Sequence, residues 1–363
     1  MKRARSKSAV DAMGTDLQEI AELSRPEQAA TDVPLLSSMN SMTKIHPGQR
    51  IVFLGTPEFA VGTLNALVSA GMNVVAVVTA PDRPAGRGLT MRMSAVKLRA
   101  LELGLPVLQP ERLKAPEFLA ELAAFDATVQ VVVAFRMLPE AVWDRPALGT
   151  INLHASLLPQ YRGAAPINWA IINGESVSGV TTFRIQQVID TGDMLLQECM
   201  AIGPDETAGE LHDRMMTVGA TLMVRTLTGL FEGTLTAHPQ ESSGELREAP
   251  KLTSLTGMMP PDTSARRVHD LVRGLSPYPA AWCMWQQSGK QAIKMKVFRT
   301  RQTEEASGGV TGAIRIVGDR LLLACSDHWL ELLDVQPEGR KRMQAADFIR
   351  GLQQREGIRV VVE

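Results

Sequence analysis

Two largely apolar runs, NVVAVVTA at 73–80 and ATVQVVVAF at 127–135, constrain the fold more than any other feature of this 363-residue chain. Short runs rich in β-branched residues, without polar alternation, belong to strands buried on both faces of a parallel sheet. A third run, RIVFLG at 50–55, ends in glycine. Helical spacing follows it over 57–70, with Ala60, Leu64, Leu67 and Val68 on one side. Further helices are predicted near 94–103 and 115–124, and GTINLH at 149–154 reads as another strand after a short helix. Strands alternating with helices imply βαβ units and an α/β fold. The expectation is a Rossmann-like open, mostly parallel sheet with its site at the carboxyl ends of the strands.

Past Asp190 the pattern changes. The strand DMLLQECMAI leads through the turn GPDE to a long helix over about 206–231, and a Gly-, Ser-, Pro- and Thr-rich stretch follows. Beyond it, the helix-like SARRVHDLVRGL precedes five short strand candidates, AAWCMW, QAIKMKVF, TGAIRIVG, RLLLACS and LELLDVQ. Short strands separated by turns suggest a small β-barrel. The predicted division is an α/β domain at 50–232, a linker at 233–255 and a barrel domain at 256–363. Residues 1–49 are polar, lack aromatics and have no apolar signal core. They are expected to be a disordered extension, or to reflect a start placed upstream of a true beginning at Met42.

Three cysteines far apart in sequence fit neither a disulfide framework nor a metal site, and no apolar run approaches a membrane span. A cytoplasmic, metal-free protein is expected. From Lys251 to Glu363 there are 17 Lys and Arg against 12 Asp and Glu, so a basic barrel adjoins an acidic first domain. That asymmetry is compatible with nucleic-acid contact and equally with an ordinary solvated surface. The first glycine turn, GTPEFA, is not a dinucleotide fingerprint, which argues against a nicotinamide enzyme.

The chemistry concentrates in INLHASLLPQYRGAAP, residues 151–166. In a strand, positions i and i+2 share a face, so Asn152 and His154 project together. An amide can donate to a developing oxyanion and an imidazole can move a proton near neutral pH. The same pair also reads as satisfied buried polar groups at a strand end. Asp190, in the glycine-containing turn of VIDTGDMLL, could orient the histidine or simply form its turn. The stretch APDRPAGRGLTMRMSAVKLR carries Arg83, Arg87, Arg92, Lys97 and Arg99 with one acid. It reads either as a solvated face or as an arm that meets phosphates.

These motifs together carry a family resemblance. NLHASLLPQYRGAAPINWAIINGE followed by IDTGDML resembles the folate-dependent formyltransferases. FLGTPEFA, PDRPAGRG, EAPKLT, LVRGLSPYPAAW and LLDVQPEGRKRMQAADFIRG resemble the branch of that family that acts on charged tRNA. The resemblance spans about residues 50–355 and implies catalytic roles for Asn152, His154 and Asp190. It implies that Ser156, Leu157, Leu158 and Pro159, with Phe135 and Arg136, line a folate pocket. It further implies that Arg83, Arg87, Arg92 and Lys251 meet tRNA, and that the C-terminal barrel is OB-like. The formyl donor would be 10-formyltetrahydrofolate, the acceptor methionyl-initiator tRNA, and the working unit a monomer without a metal. Rivals are a formyltransferase for a sugar-nucleotide or other small amine, and a non-catalytic RNA-binding protein. Two departures from the family stand out: Phe135-Arg136 replaces a common Tyr-Gly pair, and the arginine loop has fewer lysines than usual.

Overall fold

The computed structural model describes residues 48–85, 90–241, 244–308, 311–353 and 356–361. The extension at 1–47 and Arg87 lie outside the described residues.

The first sheet is built on β1 (Ile51–Gly55), whose five residues are all buried. It continues with β2 (Val74–Val78), β5 (Val107–Leu108), β6 (Val129–Val133), β7 (Thr150–His154), β9 (Val177–Arg184) and β10 (Met194–Ala201). Between them in sequence lie two-stranded pieces, β3 (Arg83–Ala85) with β4 (Thr90–Arg92), and β8 (Arg162–Gly163), which pairs with β11 (Glu248–Ala249). The strand order is β10-β9-β7-β6-β1-β2-β5. The pairs from β5 to β7 are parallel, whereas β9 runs antiparallel to both β7 and β10.

Helices α1 (Glu58–Ser69), α2 (Ala95–Glu102) and α6 (Ala208–Glu232) share one core with Ile51, Val131, Ile151 and Leu153. Helices α3 (Pro116–Ala124) and α4 (Glu140–Trp143) contribute Phe118, Leu122 and Val142 to the opposite core, with Val52, Leu54 and Val132. Sheets covered on both sides this way need apolar residues at consecutive positions, which explains the apolar runs; the one polar group buried within β6, Gln130, accepts from Thr150 Oγ1. The N-terminus of α6 is closed by a reciprocal cap: Thr207 Oγ1 accepts from the Glu210 N–H, and the Glu210 carboxylate accepts from the Thr207 N–H.

Sequence reading assigned no element between 155 and 189, yet α5 (Pro166–Ile172) and β9 lie there. Strand β9, VSGVTTFR, does not look like a core strand because Thr181 and Thr182 are polar. Both are fully buried with their hydroxyls paired: Thr181 Oγ1 donates to the Ser156 carbonyl at 2.6 Å, and Thr182 meets Thr226 Oγ1 at 2.8 Å. A satisfied hydroxyl removes most of the cost of burial.

The second sheet contains β12 (Ala281–Gln287), β13 (Ile293–Ala306), β14 (Ile314–Val317), β15 (Arg320–Ala324), β16 (His328–Pro337), β17 (Met343–Gln344) and β18 (Ile358–Val361). The order β14-β15-β16-β13-β12-β18 is antiparallel, with β17 on β16. A bridge between Ala313 and Arg359 draws the first and last strands together into a nearly closed, OB-like barrel. Helix α7 (Ala265–Leu275) gives Val268, Val272 and Leu275 to the barrel core, and α8 (Ala345–Arg350) adds Phe348 and Ile349.

The polar side of α7 meets the first domain. Arg273, buried beside Asp270, donates to the carbonyls of Gly203 and Glu206. His269 Nε2 donates to the Pro204 carbonyl at 3.2 Å, and its Nδ1 meets Thr300 Oγ1 at 2.8 Å. Burial pushes the His269 imidazole below its ordinary pKa, against the opposing pull of Asp270 and Asp205.

Candidate active site

The two-residue period of β7 divides its side chains between opposite faces of the sheet. Ile151 and Leu153 enter the core beneath α1 and α6. Asn152 and His154 point to the other side, where they wall a cavity of about 720 Å³. Phe183 and Ile185 continue the same wall from β9 and its end, Ala134 to Leu138 enter from the exit of β6, and Gln186, Gln187, Ile189 and Asp190 add to the lining. Leu153 and, from α1 and α6, Phe59 and His212 also reach the lining, so the cavity spans the carboxyl ends of the central strands.

His154 is fixed at both ring nitrogens. Nε2 lies 2.9 Å from the Tyr161 carbonyl oxygen, which can only accept, so Nε2 carries the hydrogen. Nδ1 faces Asp190 Oδ2 at 3.8 Å, an electrostatic contact beyond hydrogen-bond length. Both side chains are almost withdrawn from water, at 7% and 12% exposure. In the neutral ring Nδ1 is the basic position, and a proton taken there sits against a carboxylate.

Asp190 adopts a left-handed backbone, φ 53°, which aspartate tolerates better than most residues. Its Oδ2 also accepts from the Gly163 N–H at 3.0 Å. Gly163 itself has φ 126°, and a Cβ there would stand 2.5 Å from the Ala249 carbonyl oxygen. Only glycine lets this strand present its N–H to Asp190 while lying flat on β11. Tyr161, at φ 59°, is held in its unusual conformation by several bonds. Its phenol donates to Glu175 Oε1 at 2.6 Å, and its N–H donates to the Arg247 carbonyl at 2.6 Å. Burial and the neighbouring Glu175 carboxylate raise its phenol pKa.

The structure thus brings Asn152, His154, Asp190, Phe135 and Arg136 to one cavity. Arg136 lies at its edge, with its guanidinium donating outward to the carbonyls of Glu111 and Pro110. Ser156, Leu157, Leu158 and Pro159 are placed elsewhere. Ser156 and Leu158 are buried against the antiparallel edge of the sheet, Leu158 N–H donates to Thr181 Oγ1, and Gln197 donates to the Leu158 carbonyl. None of the four lines the cavity, because this segment braces β9 and β10. Arg83 and Arg92 are exposed cross-strand partners where β3 pairs with β4, and Lys251 is exposed just after β11. Lys97 is already paired with Asp82 at 2.6 Å, and Arg99 donates to Asn65, so these cations of the basic stretch are engaged internally. Among the described residues no group of three or more His, Cys, Asp or Glu is arranged to hold a metal ion.

Sequence reading missed Tyr161, Arg162, Gly163 and Gln240 as parts of this site. Tyr161 and Gly163 act through backbone groups, and Gln240 sits in what reads as a featureless linker. The only signal was the glycine within QYRGAAP, which gives no hint of its partner.

The chain matches the formyl transferase family model over residues 49–227 and the model for the formyl transferase C-terminal domain over 261–353. It is 47% identical to a methionyl-tRNA formyltransferase of Flavobacterium johnsoniae over 303 residues, covering 84% of this chain and 96% of the relative. A methionyl-tRNA formyltransferase of Bacteroides fragilis is 45% identical, over 83% of this chain and 94% of its own. An N-formyltransferase from Helicobacter canadensis, solved with folinic acid and dTDP-3-aminofucose, has the same fold with TM-score 0.57. It is 17% identical and covers 80% of this chain and 99% of its own. The chain belongs to the formyl transferase family, among its methionyl-tRNA formyltransferases.

Proposed function

We propose that this enzyme moves a formyl group from 10-formyltetrahydrofolate to the amino group of methionyl-initiator tRNA, and that the reaction runs in the cavity walled by Asn152, His154 and Asp190. The juxtaposition of an amide, a singly committed imidazole and a carboxylate on one cavity carries the reading of the site. The kinship with methionyl-tRNA formyltransferases carries the choice of acceptor. A folate donor is in keeping with the folinic acid held by a formyltransferase of this fold.

The amine nitrogen attacks the formyl carbon, and the carbonyl π pair moves to oxygen. Asn152 donates to that oxyanion, where a preorganised donor is worth on the order of 10²–10³ in rate. His154 Nδ1 takes the proton released by the amine, and Asp190 faces the resulting imidazolium. Collapse of the tetrahedral centre breaks the bond to N10, whose electron pair takes the proton back from Nδ1. Formyl-methionyl-tRNA and tetrahydrofolate leave.

Phe135 and Arg136 are proposed to meet the folate, with Ser156 to Pro159 supporting the wall from behind. Arg83, Arg92 and Lys251 are proposed to meet tRNA phosphates, each contact weakening with salt. Among the described residues no helix is long and apolar enough to cross a membrane. A cytoplasmic place, beside charged tRNA, is the reading that suits the reaction.

The test is transfer of radiolabelled formyl from 10-formyltetrahydrofolate to charged initiator tRNA, with wild type and His154→Ala. Label on methionyl-tRNA, lost in the variant, is expected. Label appearing on a sugar-nucleotide amine and on no charged tRNA would overturn the reading.

A further inference from the structure

The turn that carries Asp190 has little packing of its own. Its neighbours Val188 and Ile189 are 64% and 57% exposed, and Asp190 itself is in a strained left-handed conformation. Such a conformation persists only where the surroundings over-determine it. One side chain supplies much of that restraint, and it comes from the segment between the two domains. Gln240 Nε2 donates to the Asp190 carbonyl at 2.9 Å and to the Gly192 carbonyl at 2.8 Å. Gly192 has no alternative there, since a Cβ would fall 1.6 Å from the Arg184 carbonyl oxygen. At its other end, Gln240 Oε1 accepts from Arg162 Nε at 3.1 Å and Nη2 at 2.6 Å.

Arg162 precedes Gly163, whose N–H holds the Asp190 carboxylate. The bonds close a ring: Gln240 to the Asp190 backbone, the Asp190 carboxylate to Gly163, and Arg162 back to Gln240. The same connecting segment also sets the partner of His154. The Arg247 carbonyl accepts from Tyr161 N–H, and β11 lies parallel to β8. Both members of the His154–Asp190 pair are therefore located through residues 240–249.

We propose that Gln240 is a positioning residue for the reaction, acting through Asp190. The proposal rests on the reading of His154 and Asp190 as the proton-transfer pair. Gln240→Glu keeps the shape and the Arg162 partner but replaces both donors with an acceptor facing two carbonyl oxygens. In the full-length protein, kcat for formyl transfer should fall about tenfold to a hundredfold, the range expected when a catalytic group is displaced by up to about 1 Å. KM for each substrate should stay within about twofold. In the Asp190→Asn background the same change should cost less than about twofold, because the group it positions is already disabled.

An unchanged kcat in Gln240→Glu, or an equal loss in both backgrounds, overturns the proposal. Should Gln240→Glu fail to fold, Gln240→Leu, which removes the donors without adding charge, is read in the same way. A silent Asp190→Asn would instead sink the assignment of the pair itself, and the proposal with it. That result is distinct from a damaging Asp190→Asn beside a silent Gln240→Glu.

Discussion

A polar side chain on a strand means different things in the two sheets of this molecule. In the first, β1 and β6 are buried along their whole length, so there is no solvent face to receive polar groups. Asn152 and His154 interrupt that pattern and need a reason beyond solubility, since burying unpaired polar groups costs roughly 1–3 kcal/mol each. In the second sheet, β12 alternates buried and half-buried positions, and β13 sets Arg299, Arg301 and Glu305 toward water. There, polarity at alternate positions is what a one-sided antiparallel sheet requires. Several cations on that outer surface lie over aromatic rings, including Lys294 over Trp282 at 3.8 Å and Arg315 over Trp329 at 4.2 Å. The same residue types carry information about a site only where the surrounding layers exclude an ordinary explanation.

Four experiments press on this contrast. His154→Ala should lower kcat by about 10²–10⁴-fold, well beyond what its loss of stability accounts for. Initial rates of formyl transfer on folded protein decide it, and a near-normal rate would reduce the polar pair to structural filler. On the opposite face of the same strand, Leu153→Ala should cost about 2–5 kcal/mol of stability by denaturant titration, from lost burial and the cavity left behind. A destabilisation under about 1 kcal/mol would mean the two faces are less distinct than their burial indicates.

The interdomain histidine gives a smaller, pH-dependent effect. Because burial depresses the His269 pKa, the unfolded chain takes up its proton first as pH falls. The stability it permits is complete above the ordinary imidazole range, about pH 6.5, and is lost as pH drops through that range toward the folded value. His269→Gln should flatten this part of the melting-temperature profile between about pH 7.5 and 5.5, and an unaltered slope would refute the assignment. The smallest effect is expected on the outer surface of the barrel. Lys294, half-buried, lies over Trp282, and Lys294→Ala should cost about 0.5–1 kcal/mol, the lower end for a cation over a ring. A loss above about 2 kcal/mol would show that this surface is not merely solvated.

The legibility of the site follows how each residue acts. Asn152 and His154 can be found from the chain because strand period and apolar frame are local properties. Asp190 reads from the chain either as a turn residue or as the partner of the histidine, and its approach to His154 depends on a segment that folds back over the sheet. Tyr161 and Gln240 are invisible for a different reason. One works through its carbonyl, and the other joins residues 50 and 78 positions away in sequence. Strand β9 escaped because paired threonine hydroxyls take apolar places, whereas five of the barrel strands lie close to the five candidates read from sequence, and β17 and β18 were not foreseen. The expectation that residues 156–159 would line a pocket came from the family resemblance alone. In the structure the backbone of Leu158 is bonded to Thr181 on β9 and Gln197 on β10.

The bond from His154 Nε2 to the Tyr161 carbonyl has one more consequence. It leaves the ring a single open nitrogen, so on the proposed mechanism the proton arrives and departs at the same atom. Each round of transfer then ends with the imidazole in the state in which it began, in the same tautomer and without borrowing from buffer or bulk water. A catalyst so arranged has no proton reset to perform between turnovers.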